Sequence, residues 1–170
     1  ARMTAAAAAG LGMKCHLVLR GKKREVQGNL LLDHMFGAKV HFLDSSENRE
    51  ETMNSLATSL RNAGRKPYCI GVGGSNALGS LGYVDAVDEL VRQMESSDFF
   101  RATYVAVGSG GTFAGLWIGQ ALHHWETSLK GIAVDSDDFA PIIQAIANES
   151  ARSYGTPLPT LPLDISYNFI

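Results

Sequence analysis

Residues 103–112 read TYVAVGSGGT, and this stretch decides the fold class. Its first half is an apolar run without polar alternation, which is typical of a strand buried on both faces of a parallel sheet. Its second half, Gly108–Thr112, is a glycine-rich turn, and a helical pattern follows from Phe113 to Trp125. The order strand, glycine turn and helix predicts one unit of an α/β protein.

The same alternation runs along the rest of the 170 residues. The predicted strands are 13–19, 39–43, 68–72, 103–107 and 131–134, and the predicted helices are the alanine-rich segment 5–9, 29–36, 48–62, 77–94, 113–125 and 139–152. Right-handed crossover helices between parallel strands cover both faces of a sheet. We therefore expect an α/β fold, with parallel sheets and helices on both faces. After Gly155, prolines predict an extended connector.

A polar stretch, ESSD at 95–98, interrupts this pattern. We interpret it as a joint between two lobes, a small α/β lobe at 1–95 and part of a larger lobe at 96–170. The alanine helix begins at once, without a capping side chain before it, so we expect the chain to be an incomplete piece of a longer protein.

Charge and cysteine content narrow the classes of partner. With 15 basic and 17 acidic side chains the formal net charge is −2, which argues against nucleic acid and anionic membrane surfaces as partners. No apolar window is long enough to span a bilayer. Cys15 and Cys69 each lie in an apolar run, so we expect reduced thiols packed in strands of a cytoplasmic protein. Two isolated cysteines predict no metal site.

Two glycine loops carry the functional signal. The first is GVGGSNALG at 71–79, and the second is GSGGT at 108–112. In the second loop, small residues let the backbone close around an anion, Ser109 and Thr112 supply hydroxyl donors, and the following helix adds positive potential. These features favour binding of a phosphate monoester. The alternative, that the glycines only make a tight turn, stays open at this point.

Better-known glycine motifs do not fit either loop. Asn76 and Phe113 occupy the positions where a dinucleotide fingerprint needs its third glycine, and Ser80 occupies the position of the P-loop lysine. A nucleophile elbow comes within one residue of matching at Ser75, with Asp98 and His123 following in the right order. A serine hydrolase therefore remains a minor alternative.

Four motifs occur in one order along the chain. They are AAAAAGLGMKC at 5–15, GNLLLD and FGA at 28–38, GGSNALG and GY at 73–83, and GSGGT and AG at 108–115. Together they resemble the D-cysteine desulfhydrase and 1-aminocyclopropane-1-carboxylate deaminase branch of the pyridoxal-phosphate enzymes. The resemblance implies the tryptophan synthase β-like fold with two lobes, as an internal fragment.

The resemblance also implies roles for individual residues. Ser109, Gly110, Gly111 and Thr112 would hold the cofactor phosphate, in agreement with the argument from the helix terminus. Gly73, Gly74 and Ser75 would lie beside the pyridine ring or the substrate. For Asn29 and Asp33 we favour a structural role, in capping and fixing a small-lobe helix.

The resemblance further implies a lysine that binds the cofactor as a Schiff base. The family has this lysine upstream of the residue that matches Ala1, so we expect no catalytic residue within the chain. The lysines present lie in polar turns or at strand edges and are interpreted as surface charges; they are Lys14, Lys22, Lys23, Lys39, Lys66 and Lys130.

The implied activity of the full-length protein is elimination from D-cysteine to pyruvate, ammonia and sulfide. The implied partners are pyridoxal 5′-phosphate, a small amino-acid substrate and a second copy in a homodimer. Ring-opening deamination of 1-aminocyclopropane-1-carboxylate is an alternative that these motifs do not separate. A non-catalytic α/β ligand-binding module is an alternative of another class. The chain alone is expected to be inactive.

Overall fold

A computed structural model describes residues 1–21, 25–44, 46–95 and 100–169 of the chain. Within these ranges the helices are α1 Arg2–Gly10, α2 Gly28–Met35, α3 Arg49–Asn62, α4 Ala77–Gln93, α5 Gly111–His123 and α6 Phe139–Tyr154. The strands are β1 His16–Arg20, β2 Lys39–Leu43, β3 Ala102–Val107, β4 Ser128–Ala133 and β5 Ile165–Ser166. Each strand pairs in parallel with its neighbour, which confirms the predicted α/β class with parallel sheets.

The chain forms two compact units, Ala1–Cys69 and Ile70–Ile170. Helix α4 packs along α5 within the second unit. The joint between lobes that the sequence predicts at 95–98 stays a prediction, because residues 96–98 lie outside the described residues.

The first unit contains a two-stranded sheet in which His16 of β1 lies opposite Lys39 of β2. Its small core includes Ala5 and Ala8 of α1, packed with Cys15 and Leu17. Burial, reinforced by the nearby charge of Asp33, raises the pKa of the Cys15 thiol. The thiol is therefore held in its protonated form, as expected for a packing residue.

Helix α2 of the first unit departs from the predicted capping. It begins at Gly28, with Gln27 at the N-cap position, so Asn29 lies inside the helix and caps nothing. Instead, the Asn29 side-chain oxygen accepts a 3.2 Å hydrogen bond from Arg2 Nη1 of α1. Asp33 is 2% exposed, and its Oδ1 has no hydrogen-bond partner.

Two imidazole rings stack across the sheet of the first unit. Nδ1 of His16 and Nε2 of His41 are 3.1 Å apart, and the ring centroids are separated by 5.4 Å. Burial lowers the pKa of both rings, and the charge of Lys39 lowers both further. The pKa of His16 is also lowered by His41 itself and by Lys14. Only a neutral ring can accept the hydrogen bond from its neighbour.

The second unit has strand order β3-β4-β5. Helix α5 packs on this sheet and is flanked by α4 and α6. Its Phe113 and Ile118 join Phe139 and Ile143 of α6 in a core where each is at most 1% exposed. The extended connector after Gly155 is confirmed; it crosses α5 where Trp117 Nε1 donates a 3.1 Å hydrogen bond to the Leu161 carbonyl.

Glycine on α5 permits its close contact with α4. A Cβ placed at Gly115 would lie 2.3 Å from the backbone oxygen of Ser80, and one at Gly119 would lie 2.8 Å from Val87. These two glycines are four residues apart and face the same side of the helix. The α4–α5 pair is consequently packed backbone to backbone, and the N-termini of both helices lie at one end.

The predicted strand at 68–72 is wrong. The segment is extended and leads into a short 3₁₀ turn at Val72–Gly74, and among the described residues no strand pairs with it. Its side chains are exposed, with Tyr68 at 70% and Val72 at 60%. Cys69 is likewise exposed, whereas Cys15 is buried as predicted. An apolar run forms a strand only where a neighbour supplies the ladder of hydrogen bonds.

We expect Gly115→Ala to destabilise the protein by about 1–3 kcal/mol, the usual cost of overpacking. The added methyl meets backbone of α4, which cannot rotate away. Gly82→Ala is the matched control, because Gly82 lies within α4 with nothing within 4 Å of an added Cβ. The control should stabilise by about 0.5–1 kcal/mol, through helix propensity alone. Urea denaturation measures both, and equal effects would contradict the packing argument.

We expect the stability of the first unit to fall as pH drops below about 6.5, the pKa of an unfolded histidine. The folded pKa of His16 and of His41 is lowered, so the unfolded chain binds more protons in this range. His41→Gln should make the pH dependence shallower, and His34→Gln, on the exposed side of α2, should leave it unchanged. Thermal melts at pH 5 to 8 provide the measurement; identical slopes in the two variants would refute the assignment.

Candidate functional site

The candidate site lies where the two glycine loops meet, at the N-termini of α4 and α5. The first glycine loop, residues 71–76, folds on itself through hydrogen bonds from Gly74 N to the Gly71 carbonyl and from Asn76 N to the Gly74 carbonyl, both 3.0 Å. Asn76 then caps α4, because its side-chain oxygen accepts a 2.8 Å bond from Gly79 N. The capped helix holds the loop in a tight turn.

The second glycine loop, residues 108–112, connects β3 to α5. Gly110 has φ +81 and occupies the N-cap position of α5 in the left-handed region, which side chains other than glycine rarely adopt. A Cβ there would also lie 3.1 Å from Cγ1 of Ile143 on α6. The backbone conformation therefore favours glycine at this position, and the packing against Ile143 leaves little room for a side chain.

One side chain of the first loop joins the two loops. The Ser75 hydroxyl accepts a 3.2 Å hydrogen bond from Gly111 N and donates a 2.8 Å bond to the Ser109 hydroxyl. A Cβ at Gly73 would lie 2.3 Å from Ser109 Oγ, and one at Gly111 would lie 2.6 Å from Ser75 Oγ. The structure thus brings Gly73 and Ser75 against Ser109 and Gly111.

The electrostatics of this junction favour an anion. The first N–H groups of a helix lack intrahelical partners and carry partial positive charge. Helix α5 has no acidic residue in its first turn to compensate that charge. Ser109 and Thr112, which carry hydroxyls, are half-buried at the same helix end. Amide and hydroxyl donors gathered at a helix N-terminus are the usual partners of a phosphate group.

The residues of the hydrolase alternative are not assembled. Ser75 and His123 lie at opposite ends of the paired helices, because Ser75 contacts Gly111 at the start of the 13-residue helix α5 and His123 is its last residue, about 18 Å away. His123 Nδ1 instead lies 3.6 Å from the Asp88 carboxylate. Asp98, the third member, lies outside the described residues. The Ser75 hydroxyl donates to Ser109, so no base receives its proton here.

The described lysines do not have the environment of a catalytic amine. Lys130 Nζ lies 2.5 Å from the Asp164 carboxylate, and this hydrogen bond raises the pKa of the amine. A nucleophilic lysine needs the opposite shift. Lys14, Lys39 and Lys66 are exposed. Lys22 and Lys23 lie outside the described residues.

Two other kinds of site do not occur in the part of the chain that the structure describes. There, no three histidine, cysteine or acidic side chains are grouped so that they could hold a metal ion. No helix in the same ranges combines the length and the apolar character needed to cross a bilayer. The junction of the two glycine loops is therefore the candidate functional site.

The sequence located both loops but missed the contact between them. Ser75 was expected beside a ring or a substrate, and its bonds to Ser109 and Gly111 were not anticipated. A signal was present in the spacing of Gly111, Gly115 and Gly119, which repeats every four residues along α5. Such a stripe of glycines indicates that another helix approaches closely.

Comparison with known proteins identifies relatives over nearly the whole chain. Residues 1–166 match the family model described as pyridoxal-phosphate dependent enzyme. A putative 1-aminocyclopropane-1-carboxylate deaminase of Pyrococcus horikoshii is 36% identical, over 98% of this chain and 52% of its own length. A D-cysteine desulfhydrase of Klebsiella pneumoniae is 38% identical, over 86% of this chain and 48% of its own length.

The fold comparison agrees. The crystal structure of an ACC deaminase homologue superposes with a TM-score of 0.84 and 35% identity, covering 97% of this chain and 51% of that one. The match confirms the expected fold, that of the tryptophan synthase β-like enzymes. The chain spans about half the length of the relatives that it matches.

Proposed function

The chain belongs to the pyridoxal-phosphate-dependent enzyme family, and we propose that the protein uses this cofactor to eliminate a β-substituent from a small amino acid. The observation that carries the proposal is the junction of the glycine loops, where the N-terminus of α5 and two serine hydroxyls come together. Pyridoxal phosphate supplies an electron sink that stabilises negative charge at the substrate α-carbon. The chain's own residues position that cofactor.

In this proposal the second glycine loop binds the phosphate through Ser109, Gly110, Gly111 and Thr112. The junction fits such a group, because Gly110 and Gly111 carry no side chain and Ser109 and Thr112 are only half-buried. The positive end of the α5 dipole favours a dianion there. Gly73 of the first loop lies against Ser109, and we propose that the pyridine ring or the substrate lies beside Gly73 and Gly74.

The substrate is proposed from the names of the relatives. D-Cysteine desulfhydrases are among them, so we favour D-cysteine, which with one water molecule gives pyruvate, ammonia and hydrogen sulfide. Removal of the α-proton and departure of the β-thiol are the bond-breaking steps. Deamination of 1-aminocyclopropane-1-carboxylate, with one water molecule, to 2-oxobutanoate and ammonia is the second candidate, because putative deaminases of that compound are equally similar.

The amine that binds the cofactor and moves the α-proton is proposed to lie outside residues 1–170. Lys14, Lys39 and Lys66 are poor candidates because they are exposed, and Lys130 is a poor candidate because its hydrogen bond with Asp164 raises its pKa. On this proposal the chain by itself binds phosphate weakly and has no turnover. We further propose a cytoplasmic homodimer for the full-length protein; the free thiols Cys15 and Cys69 agree with a reducing compartment.

A non-catalytic ligand-binding module is the alternative from another class. It shares the fold and the loop junction with the enzyme. The two differ in whether a lysine reaches the cofactor, and hence in whether bound cofactor absorbs visible light and substrate is consumed.

The product of the gene's whole coding sequence provides the test. With pyridoxal phosphate added, we expect a visible absorption band and sulfide release from D-cysteine. Release of 2-oxobutanoate from 1-aminocyclopropane-1-carboxylate, without sulfide from D-cysteine, would select the second candidate. A folded protein with no visible band and neither product would contradict the enzymatic proposal.

We expect Gly111→Ala to weaken cofactor binding at least tenfold, because the added methyl would meet both Cα and Oγ of Ser75, 2.9 and 2.6 Å away. The loops must then separate, which displaces the amides that are proposed to hold the phosphate. Gly82→Ala, with nothing within 4 Å of its Cβ, is the control and should leave the affinity unchanged. Titration of cofactor fluorescence measures both. Equal cofactor affinities in the two variants would contradict the proposal that the phosphate binds at this junction.

A further inference from the structure

We propose that Ser75 is a positioning residue that orients the Ser109 hydroxyl as a donor to the cofactor phosphate. The proposal rests on the function argued above and goes beyond it, because it assigns Ser75 to the phosphate end of the site and not to the ring or the substrate. The observation is a relay of two hydrogen bonds, from Gly111 N–H to Ser75 Oγ and from the Ser75 hydroxyl to Ser109 Oγ.

The relay runs from the start of α5 through Ser75 to Ser109. A backbone N–H can only donate, so Ser75 Oγ accepts from Gly111, and the Ser75 hydroxyl donates its own proton to Ser109 Oγ, 2.8 Å away. Ser109 Oγ therefore accepts, and its own proton is free to be donated elsewhere. In a chain of hydrogen bonds each bond polarises the next, so the Ser109 proton becomes a better donor to an anion.

The surroundings of Ser75 hold it in this arrangement. Its own backbone N donates to the Val72 carbonyl at 3.4 Å, and Asn76, the next residue, caps α4. On the other side, Gly111 has no side chain, and a Cβ there would lie 2.9 Å from Ser75 Cα. Ser75 therefore packs between the start of α4 and the start of α5. Because its side chain is half-buried there, the Ser75 hydroxyl has little freedom to rotate away from Ser109.

The arrangement predicts an indirect effect. Removing the Ser75 hydroxyl leaves Ser109 free to rotate, so one charge-assisted hydrogen bond to the phosphate is weakened without being deleted. Removing the Ser109 hydroxyl deletes it. A group that instead touches the ring or the substrate would act independently of Ser109.

The experiment is a double-mutant cycle in the product of the whole coding sequence, with the dissociation constant of pyridoxal phosphate as the readout. We expect Ser109→Ala to weaken binding about tenfold, the usual effect of losing a hydrogen bond to a charged group, and Ser75→Ala to weaken it about threefold to tenfold. In the Ser109→Ala background, Ser75→Ala should change the constant by less than about twofold. Equal factors in both backgrounds would overturn the proposal.

A phosphorus NMR signal provides a second readout besides affinity. We expect Ser75→Ala to shift the resonance of the bound cofactor phosphate. If Ser75 instead contacts the ring or the substrate, that resonance does not shift, and this result would overturn the proposal. If Ser75→Ala does not fold, Ser75→Cys takes its place in the double-mutant cycle. The cysteine side chain is close in volume to serine, and its thiol is a weaker hydrogen-bond donor than the hydroxyl. Failure of the wild-type protein to bind the cofactor would instead overturn the proposed function.

Discussion

The close approach of α4 to α5 is the constraint on which the candidate site depends. Gly115 and Gly119 let the helix backbones come into contact, since a Cβ at Gly115 would lie 2.3 Å from the Ser80 oxygen. Two helices packed in this way present both first turns at the same end. The glycine loops that enter them are consequently neighbours, although 34 residues separate the hydroxyls that bond across the junction.

The phosphate site that we propose at the junction is built mainly from backbone. Glycine at position 110 allows a left-handed N-cap, and glycine at position 111 leaves room for Ser75, so the donors are amides and short hydroxyls. Because the chain belongs to the pyridoxal-phosphate-dependent enzyme family, we propose that these donors bind the cofactor phosphate. The hydrogen bonds of the junction and the family similarity along residues 1–166 are independent observations.

The errors of the sequence prediction have a common physical origin. The run at 68–72 is apolar enough for a strand, but a strand exists only through its neighbour, and none pairs with this run among the described residues. Asn29 was expected to cap a helix, yet it lies inside α2 and accepts a hydrogen bond from Arg2 of α1. Both properties belong to pairs of segments, and a local pattern describes one segment at a time.

The amino-acid sequence was sufficient to predict the class of fold, most helices and strands, both glycine loops and the resemblance to the pyridoxal-phosphate enzymes. It was sufficient because hydrophobic periodicity and the conformational needs of glycine are local properties. The folded chain was needed to show which loops meet, the relay from Gly111 through Ser75 to Ser109, and the position of His123 at the far end of α5. Hydrogen bonds across such distances along the chain depend on how helices pack, and packing is settled by every contact of the unit together.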